Sequence, residues 1–477
     1  MSKSVLVSLL LVNYKGRHLL KECLDSIFAL SFPTHQFEVI LVDNNSQDGS
    51  VRFVSKHYPQ VRIIESKSNL GFTGGNNLAY ESAKGKYIVL LNTDTTVEKN
   101  WLNALVLRAQ EKNVGIVSSL AYFSVPFLRF SLESAVVSRS EVNDNLDFTP
   151  LGVMVEENIC DNSNLNELVL FGDGFYDKSE GEVSVRWTRD KAEILVPFDF
   201  TDRNKSRNKY KFTIHSSQRR KFSTSRFSLK LGKKQLVEAE LIPSEVRQYQ
   251  FDFSYAEVKN SLIWLVQNAG NAVFQDGYSR DRGAVIVRKG SEVREFYEEI
   301  SDFYKQPSKV LAFCGCGTLI KREVIEKLGF FDGNYFMYYE DIDLSLRAWK
   351  GGWDLVYEAT AVLYHKHRGS TGKAESGFFL RLVERNHLFL LLTHFPLTMC
   401  VQEYFFLTNR ALLTNIRFFL AFLKNTAEVY DLWKERKNAR NIAWWDVTRS
   451  LPRLFANRLQ QRKFAKRKYQ EMKEYLY

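Results

Sequence analysis

The sequence predicts an α/β protein: a mostly parallel sheet with helices on both faces, interrupted by an inserted antiparallel β domain and followed by a helical basic C-terminal region. Three observations lead to this prediction. Short apolar runs alternate with amphipathic stretches over the first 120 residues, which is a βαβ pattern. From about Ser124 to Asn260, polar and apolar residues alternate instead. The last 47 of the 477 residues contain 13 Lys and Arg against 5 Asp and Glu, a net +8 of the chain's +11.

The first predicted domain, residues 1–123, contains four apolar runs that we expect to form strands and four amphipathic stretches that we expect to form helices. The strands are VLVSLLLV, FEVILVD, VRIIES and KYIVLLNTD, and the helices are HLLKECLDSIFAL, SVRFVSKHY, GGNNLAYESAK and WLNALVLRAQ. The first run, Val5 to Val12, is too short to cross a bilayer, and no small-residue cleavage site follows it. We therefore expect a buried strand at this position.

Polar residues follow three of these strands, at the edge of the sheet where such folds bind ligands. Asn13 and Tyr14 follow the first strand, Asp43 to Asn45 the second, and Asn92 to Asp94 the fourth. A carboxylate at Asp94 is placed to hold Mg²⁺ or Mn²⁺ against a diphosphate, because these ions take oxygen ligands. Taken alone, the triplet is more typical of a turn.

The stretch NLGFTGGNN is rich in glycine and precedes a predicted helix, but it matches neither the dinucleotide-binding pattern nor the P-loop. Glycine lets backbone N–H groups approach a charged ligand closely. The candidate ligand-binding residues of this stretch are Asn69, Gly71, Gly75 and Asn76.

The insert, predicted over residues 124–260, is expected to be a β-sandwich-like domain, because alternating residues and charged turns are typical of antiparallel strands. Its aromatic residues lie at strand spacing, where aromatics more often belong to a core than to a binding surface. The α/β pattern resumes over residues 261–385.

The C-terminal region, residues 386–477, combines apolar and basic residues. Its apolar part, Leu388 to Phe422, is interrupted by Pro396, Glu403, Arg410 and Arg417, so no window approaches the ~20 apolar residues of a spanning helix. Tryptophans among the later basic residues favour an interfacial helix on an anionic membrane. A helical domain that packs on the core is the alternative. Because no nucleic-acid-binding motif accompanies the basic charge, we expect no nucleic-acid partner.

Three carboxylates, Glu340, Asp341 and Asp343, follow the aromatic run NYFMYY. Their mutual repulsion is unfavourable unless a cation, a helix end or a reacting proton compensates it. The pattern predicts a helix that begins near Asp341 and ends at Gly351-Gly352. Acidic residues in a first turn oppose the helix dipole, which accounts for Asp343 but not for the aromatic run.

His365 and His367 follow the predicted strand AVLY and precede Arg368. Clustered ionisable residues mark sites, although a single histidine more often packs in a structural role. Cys314 and Cys316 lack the second cysteine pair of a zinc site, so we interpret them as packing residues. The odd number of cysteines, five, fits a reducing cytoplasm.

In this order the segments resemble family 2 glycosyltransferases of the GT-A fold, in the rhamnosyltransferase-like branch. The resemblance covers residues 4–122 and about 261–390, roughly half of the chain. The matching segments are VSLLLVNYKG, VILVDNNSQDGS, NLGFTGGNN, YIVLLNTD, VQNAGNAVFQDGYSRDRG, GCGTLIKREVIEKLGFFD, FMYYEDIDLSLRAWKGGW and AVLYHKHRGSTG.

The resemblance implies an inverting, metal-dependent transfer of a sugar, rhamnose or another hexose, in cell-surface polysaccharide synthesis. The donor would be a dTDP- or UDP-sugar, and the acceptor a glycan or a lipid-linked saccharide at the cytoplasmic face of the membrane. It implies that Asp341 is the base, with Glu340 beside it, and that Asp94 and His365 face Mg²⁺ or Mn²⁺. The candidate residues for the nucleotide sugar, besides those of the glycine-rich stretch, are Asn13, Tyr14, Asp43, Asn45, Asn92 and Arg368. For Arg368, which would bind phosphate, an exposed loop arginine is the simpler alternative. Asn92 stands where the family often has an acidic residue, so the number of carboxylates on the metal is open.

The alternative is a catalytically inactive carbohydrate-binding or scaffold protein. Such a protein would use the insert, whose exposed aromatic residues are candidates for stacking on sugar rings, to bind glycan. The presence of Asp94 and of the pair Glu340-Asp341 argues against that alternative.

Overall fold

The computed structural model describes residues 5–138, 149–179, 183–199, 207–216, 225–289, 292–366, 377–424 and 427–476. The chain divides into two compact units. The first unit comprises Met1–Ser124, Val266–Gly283 and Ile300–Tyr477, and the second comprises Val125–Leu265 and Ala284–Glu299. The predicted insert, residues 124–260, differs from the second unit at residues 124, 261–265 and 284–299, and the predicted C-terminal region, 386–477, is part of the first unit.

The N-terminal segment of the first unit alternates strands and helices. Its strands are β1 (Val7–Asn13), β2 (Phe37–Asp43), β3 (Arg62–Glu65), β4 (Tyr87–Leu91), β5 (Thr95–Val97) and β6 (Val114–Phe123). Its helices are α1 (Leu20–Phe28), α2 (Ser50–His57), α3 (Gly71–Ser82) and α4 (Trp101–Ala109), with a 3-10 turn at Thr34–Gln36. All seven residues of β1 but one are buried, as the apolar run predicts.

The second unit is built from β strands. They are β7 (Phe127–Ser134), β8 (Val137–Ser138), β9 (Pro150–Leu151), β10 (Met154–Glu156), β11 (Leu170–Phe171), β12 (Phe175–Ser179), β13 (Val185–Thr188), β14 (Lys191–Pro197), β15 (Arg207–His215), β16 (Ser225–Leu231), β17 (Lys234–Leu241), β18 (Val246–Ser254) and β19 (Leu262–Ile263). Two short helices, α5 (Ser163–Asn166) and α6 (Tyr255–Val258), accompany them. One sheet has the order β12-β13-β10-β15-β18 and the other β11-β14-β7-β16-β17 with β19 beside β7. Both sheets supply side chains to one apolar core, for example Phe130 and Phe212, so the insert is an antiparallel sandwich.

The chain then returns to the first unit. The next strands are β20 (Val266–Asn268), β21 (Asn271–Val273) and β22 (Ser279–Asp281), followed by the hairpin β23 (Ala284–Lys289) and β24 (Glu292–Tyr297) of the second unit. After them come β25 (Ser308–Val310), β26 (Gly317–Lys321), helix α7 (Arg322–Leu328), helix α8 (Glu340–Lys350) and β27 (Asp354–His365). Because Val266 pairs with Tyr122, the two ends of the main insert lie beside each other.

The main sheet has the order β25-β27-β6-β26-β4-β1-β2-β3. β1 pairs in parallel with β2 and β4, and β2 with β3, which is the parallel part that the βαβ pattern predicts. β26 is antiparallel to both β4 and β6. One face of the sheet packs on α1, α2 and α4, and the other on α3, α7 and α8. The predicted α/β fold class is confirmed, with an antiparallel strand in the middle of the sheet.

The C-terminal region is helical, as predicted. It consists of α9 (Gly377–His394), α10 (Leu397–Lys424), α11 (Ala427–Phe464), α12 (Tyr469–Met472) and a 3-10 turn at Lys473–Tyr475. Leu390 of α9, Leu407 of α10 and Val447 of α11 belong to the same apolar core as α7 and α8. Among the described residues, no helix is both long enough and apolar enough to cross a membrane.

Candidate active site

The carboxyl ends of β1 and β2 meet, because the two strands pair in parallel with Asn13 opposite Asp43. The buried Asn13 amide Nδ2 lies 2.9 Å from Asp43 Oδ1, 3.0 Å from Ser46 Oγ and 2.9 Å from Ser50 Oγ. Asp43 Oδ2 accepts a hydrogen bond from the Ser46 backbone N–H. The predicted residue Asn13 therefore fixes the loop after β2 rather than presenting itself to solvent.

A cavity of about 370 Å³ lies beside this loop, within the size range of small-molecule sites. Asn45 reaches it from a backbone with φ +61° and is exposed. Tyr14, at the end of β1, is 38% exposed. The cavity is lined by residues that include Asp43, Asn45, Asp48, Arg52, Glu65 and Ser66. The ends of β2 and β3 thus provide polar groups that a ligand in the cavity could contact.

The glycine-rich stretch forms the start of α3, and its close approach is to another loop of the protein. A Cβ at Gly71, which has φ +70°, would lie 2.3 Å from the Phe336 carbonyl oxygen. The Thr73 backbone N–H and hydroxyl both donate to that same oxygen, each at 3.1 Å. A Cβ at Gly75 would lie 2.6 Å from Cγ1 of Val12. These two glycines are therefore required by packing, whatever they bind.

The two predicted asparagines of this stretch also have partners within the chain. Asn69 Oδ1 accepts a hydrogen bond from the Gly71 N–H at 2.9 Å, and Asn76 Nδ2 donates to the Phe72 carbonyl oxygen at 2.9 Å. Asn76 is buried, whereas Asn69 is exposed. Contact of either residue with a nucleotide sugar stays a prediction.

Asp94 and His365 come together because β27 pairs with β5, with His365 opposite Thr95. His365 Nε2 lies 3.1 Å from Asp94 Oδ1, and Asp94 is only 3% exposed. Burial alone would lower the pKa of His365, but the Asp94 carboxylate raises it to about 9. Two residues 271 positions apart in the sequence thus form one pair at the sheet edge.

Gln267 contacts His365 and was not predicted from the sequence. It is 2% exposed, and its Oε1 lies 2.8 Å from His365 Nδ1. An acceptor at Nδ1 holds the imidazole with Nε2 directed at Asp94, as outer partners of metal-binding histidines do. A glutamine in the otherwise apolar stretch before Asn268 was the available signal.

The segment Phe313–Cys316 joins the Asp94 side of the site to the start of α8. Half-buried Asn92 donates its backbone N–H to the Cys316 carbonyl oxygen at 3.2 Å. The Gly315 N–H hydrogen-bonds to the Asp341 carboxylate. Cys314 and Cys316 are free thiols, in keeping with their interpretation as packing residues. Both ends of the site therefore rest on one short backbone segment.

Glu340 and Asp341 form the first turn of α8, close to where the sequence predicts its start. Half-buried Asp341 accepts a hydrogen bond from the Ile342 N–H at 2.8 Å. Removal from water raises the pKa of Asp341 to about 7, and the nearby Asp281 charge adds to the rise. Burial and the charge of Asp341 raise the pKa of Glu340 well above its usual range. The pKa of Asp341 thus lies near neutral pH, in the range that suits an exchange of protons.

Asp343 has a separate structural role. Its Oδ2 accepts from Arg347 Nε at 2.9 Å, and its Oδ1 lies 2.8 Å from His394 Nε2 on α9. Burial alone would raise the pKa of Asp343, but Arg347 and His394 hold it at about 2. This carboxylate ties α8 to the C-terminal helices. His367 and Arg368, the remaining predicted site residues, lie outside the described residues.

Residues 8–156 match the model of the family described as glycosyl transferase family 2, and residues 284–423 match that of glycosyl transferase family group 2. The chain belongs to glycosyltransferase family 2.

Three curated relatives illustrate the similarity. Glycosyltransferase AglE of Haloferax volcanii is 26% identical over 123 residues, 25% of this chain and 40% of that protein. Glycosyltransferase GlyG of Streptococcus pneumoniae is 29% identical over 117 residues, 24% and 38% of the two chains. N-acetylglucosaminyl-diphospho-decaprenol L-rhamnosyltransferase of Mycobacterium tuberculosis is 35% identical over 80 residues, 17% and 26%. The matched regions span 40% or less of the length of these relatives.

The chain also aligns with solved structures, among them two glycosyltransferases. Mannosyltransferase PcManGT from Pyrobaculum calidifontis, in complex with GDP-Man and Mn²⁺, has 12% identity and a TM-score of 0.36, covering 94% of this chain and 86% of its own. TarS 1-349 of S. aureus, in complex with UDP-GlcNAc, has 22% identity and a TM-score of 0.24, covering 24% and 34%.

Proposed function

We propose that this protein is an inverting glycosyltransferase that moves a sugar, rhamnose or another hexose, from a nucleotide-sugar donor to a glycan or lipid-linked acceptor. The observation that carries the proposal is Asp341, a half-buried carboxylate with a pKa of about 7 at the start of α8. The Asp94–His365 pair lies at the carboxyl end of the sheet, and Asp94 comes two residues after Asn92, whose backbone N–H donates to the segment that also donates to Asp341. Membership of family 2 supports a role in the synthesis of a cell-surface polysaccharide.

The reaction that suits this geometry is a single displacement. The acceptor hydroxyl oxygen attacks the anomeric carbon from the face opposite the diphosphate, and the new bond forms as the bond to the diphosphate oxygen breaks. The hydroxyl proton passes to the Asp341 carboxylate, and the diphosphate leaves with the bonding electron pair. A base with a pKa near the working pH is effective in such a step.

The donor would lie along the ends of the parallel strands. Its base and ribose would occupy the cavity beside Asp43 and Asn45, with Tyr14 at the rim, and its diphosphate would extend toward Asp94. A dTDP- or UDP-sugar is the proposed donor class, following the resemblance to rhamnosyltransferases.

The Asp94 carboxylate fits Mg²⁺ or Mn²⁺, which both take oxygen ligands, whereas the His365 imidazole nitrogen suits a transition-metal ion such as Mn²⁺ better than Mg²⁺. Because Asp94 raises the pKa of His365 to about 9, the imidazole would have to release a proton in order to bind the ion. Within the described parts of the chain, no three His, Cys, Asp or Glu side chains come together to hold a metal ion. A cation here would therefore take its remaining ligands from the diphosphate and water. When bound, it would neutralise charge on the leaving diphosphate.

A donor screen tests the proposed function. The protein is incubated with dTDP-rhamnose, UDP-glucose, UDP-galactose or GDP-mannose and Mg²⁺ or Mn²⁺, and released nucleotide and products are followed by mass spectrometry. We expect turnover of one dTDP- or UDP-sugar. No turnover of any donor, together with glycan binding by the intact protein, would instead favour the inactive carbohydrate-binding alternative.

The insert is proposed to engage the acceptor or a partner and to take no part in the chemical step. Replacing residues 125–265 by a short Gly-Ser linker, and residues 284–299 by a tight turn, should leave donor hydrolysis intact and change acceptor use. The pairing of Val266 with Tyr122 allows a short linker. Activity is compared with a protein in which only 284–299 is shortened. Loss of folding on excision would show that the insert is structural.

The C-terminal helices are proposed to lie on the cytoplasmic face of an anionic membrane. Large apolar side chains are exposed along α10 and α11: Leu397, Val401, Phe405, Phe406, Leu412, Leu413, Ile416, Ile442, Trp445, Phe455, Leu459 and Phe464. Exposed arginines and lysines accompany them on α11: Arg449, Arg453, Arg462 and Lys463. Apolar surface of this kind beside positive charge is typical of an interfacial surface.

The membrane proposal predicts sedimentation with vesicles that contain phosphatidylglycerol. Replacing Arg449, Arg453 and Lys463 by glutamine should weaken this binding ~100-fold at low salt, since each basic residue contributes about 1 kcal/mol. The matched control replaces three exposed basic residues of the second unit, Arg226, Lys233 and Lys234. Equal binding to neutral and anionic vesicles would remove the electrostatic part, and binding to neither would contradict the proposal.

A further inference from the structure

The loop that precedes α8 has an unusual backbone. Phe336, Tyr338 and Tyr339 have φ of +64°, +70° and +70°. Aromatic side chains seldom adopt this left-handed region, so the conformation persists only where the surroundings impose it. The catalytic candidates Glu340 and Asp341 follow directly.

Side chains of two helices hold this loop through its carbonyl groups. Asn386 of α9, which is 0% exposed, places Nδ2 3.0 Å from the Tyr335 oxygen, 2.8 Å from that of Met337 and 2.8 Å from that of Tyr338. The five consecutive carbonyl oxygens of residues 334–338 all accept hydrogen bonds from α3 or α9. Arg385 of α9 donates to the first two, Thr73 of α3 donates to the third, and Asn386 donates to the second, fourth and fifth.

The end of the loop also begins the helix that carries the base. The Tyr339 carbonyl oxygen accepts the first hydrogen bond of α8, from the Asp343 N–H at 2.9 Å. A shift of the loop therefore moves the first turn and Asp341 with it. Displacements of about 1 Å at a reacting group can lower the rate ~100-fold.

We propose that Asn386 is a positioning residue for sugar transfer, holding the loop so that Asp341 faces the acceptor hydroxyl; this inference rests on the proposed function. A neutral amide suits the position because it adds no charge and its two N–H hydrogens serve the three carbonyl oxygens, one hydrogen being shared between two of them. Leucine has a similar size but would leave the carbonyl groups without these donors, and aspartate would repel them.

The test begins with Asn386→Leu. We expect kcat for donor turnover to fall ~100-fold, while the Kd of UDP or dTDP with Mn²⁺, measured by calorimetry, changes less than about twofold. Asn415→Leu is the matched control, because the Asn415 amide bonds to the Ala411 carbonyl oxygen and to the Asn441 amide of α11 rather than to the loop. This control should keep normal kcat.

A double-mutant cycle separates positioning from a general structural role. If Asn386 acts through Asp341, Asn386→Leu should lower kcat much less in the Asp341→Glu variant than in the wild-type protein. An equal loss in both backgrounds, or normal kcat per folded molecule in Asn386→Leu, would overturn the proposal. Should Asn386→Leu fail to fold, Arg385→Met and Thr73→Val each remove a donor to the loop, and unchanged kcat in both would also overturn it.

Hydrogen exchange distinguishes failure of this inference from failure of the proposed function. Asn386→Leu, but not Asn415→Leu, should accelerate amide exchange over residues 335–343 in the free protein. Wild-type protein that turns over no donor would reject the proposed function, while this exchange would still report on the loop. Unchanged exchange would reject the inference alone.

Discussion

Replacing Asp341 by asparagine is expected to lower kcat for sugar transfer about 10²–10⁴-fold while leaving donor binding nearly unchanged. The amide keeps the shape of the side chain but cannot take the acceptor proton. Because the base acts only in the transition state, the loss should appear in kcat and not in the donor Kd. A turnover assay and a calorimetric donor titration on the same preparation measure the two quantities.

The pH dependence provides a second measurement of the same assignment. Asp341 must be ionised to accept a proton, and its pKa is raised to about 7. Activity should therefore be present above pH ~7 and decline as the pH falls through that value, with kcat/KM reporting the free enzyme. The remaining activity of Asp341→Asn should lack this decline.

Glu340→Gln is the matched control, since it makes the same change one position earlier. Burial and the charge of Asp341 raise the pKa of Glu340, which favours its neutral form, so the neutral glutamine is a smaller chemical change at this position. We expect a smaller loss of kcat than in Asp341→Asn. Near-normal turnover in Asp341→Asn would contradict the assignment of the base.

The sequence predicted the parallel part of the sheet because β1 and β2 are nearly all apolar and must be buried on both faces. It also placed the start of α8 within one residue, since first-turn acids and the closing glycines are local signals. The antiparallel β26 was not predicted. The sequence of an apolar strand does not indicate whether its neighbours run parallel or antiparallel to it, because the tertiary structure determines the pairing.

Contacts between distant residues could not be predicted from local patterns. Gly71 was expected to approach a ligand, and the structure shows it against the Phe336 carbonyl, because a glycine reveals a close approach but not its partner. Asn386 lies in the polar run Glu384–His387 of α9, where nothing in the local pattern distinguishes the residue that contacts the loop before α8. Only the family resemblance, which orders distant segments, brought Asp94 and His365 into one hypothesis.

Replacing Asp94 by alanine is expected to weaken metal-dependent donor binding and to lower turnover by ~10³-fold, because a metal's neutralisation of the diphosphate is worth several kcal/mol. In the proposed metal site Asp94 would supply the carboxylate oxygen, and without it His365 would be the one protein ligand left of the proposed pair. This outcome differs from that of Asp341→Asn, in which binding is kept. Calorimetric titration of UDP or dTDP with and without Mn²⁺ measures the change.

The control for this substitution is Asp302→Ala, which removes an almost fully exposed carboxylate paired with Lys305. It should change neither binding nor turnover. His365→Gln keeps a polar side chain of similar reach but removes the imidazole nitrogen. Mn²⁺ should therefore bind more weakly in the presence of nucleotide, while the nucleotide itself still binds without metal.

If EDTA leaves the wild-type activity intact, the metal hypothesis is wrong whatever the variants do. In that case Asp94 would act through its contact with His365, and Asp94→Ala and His365→Gln should then lose the same activity without any difference in their response to Mn²⁺.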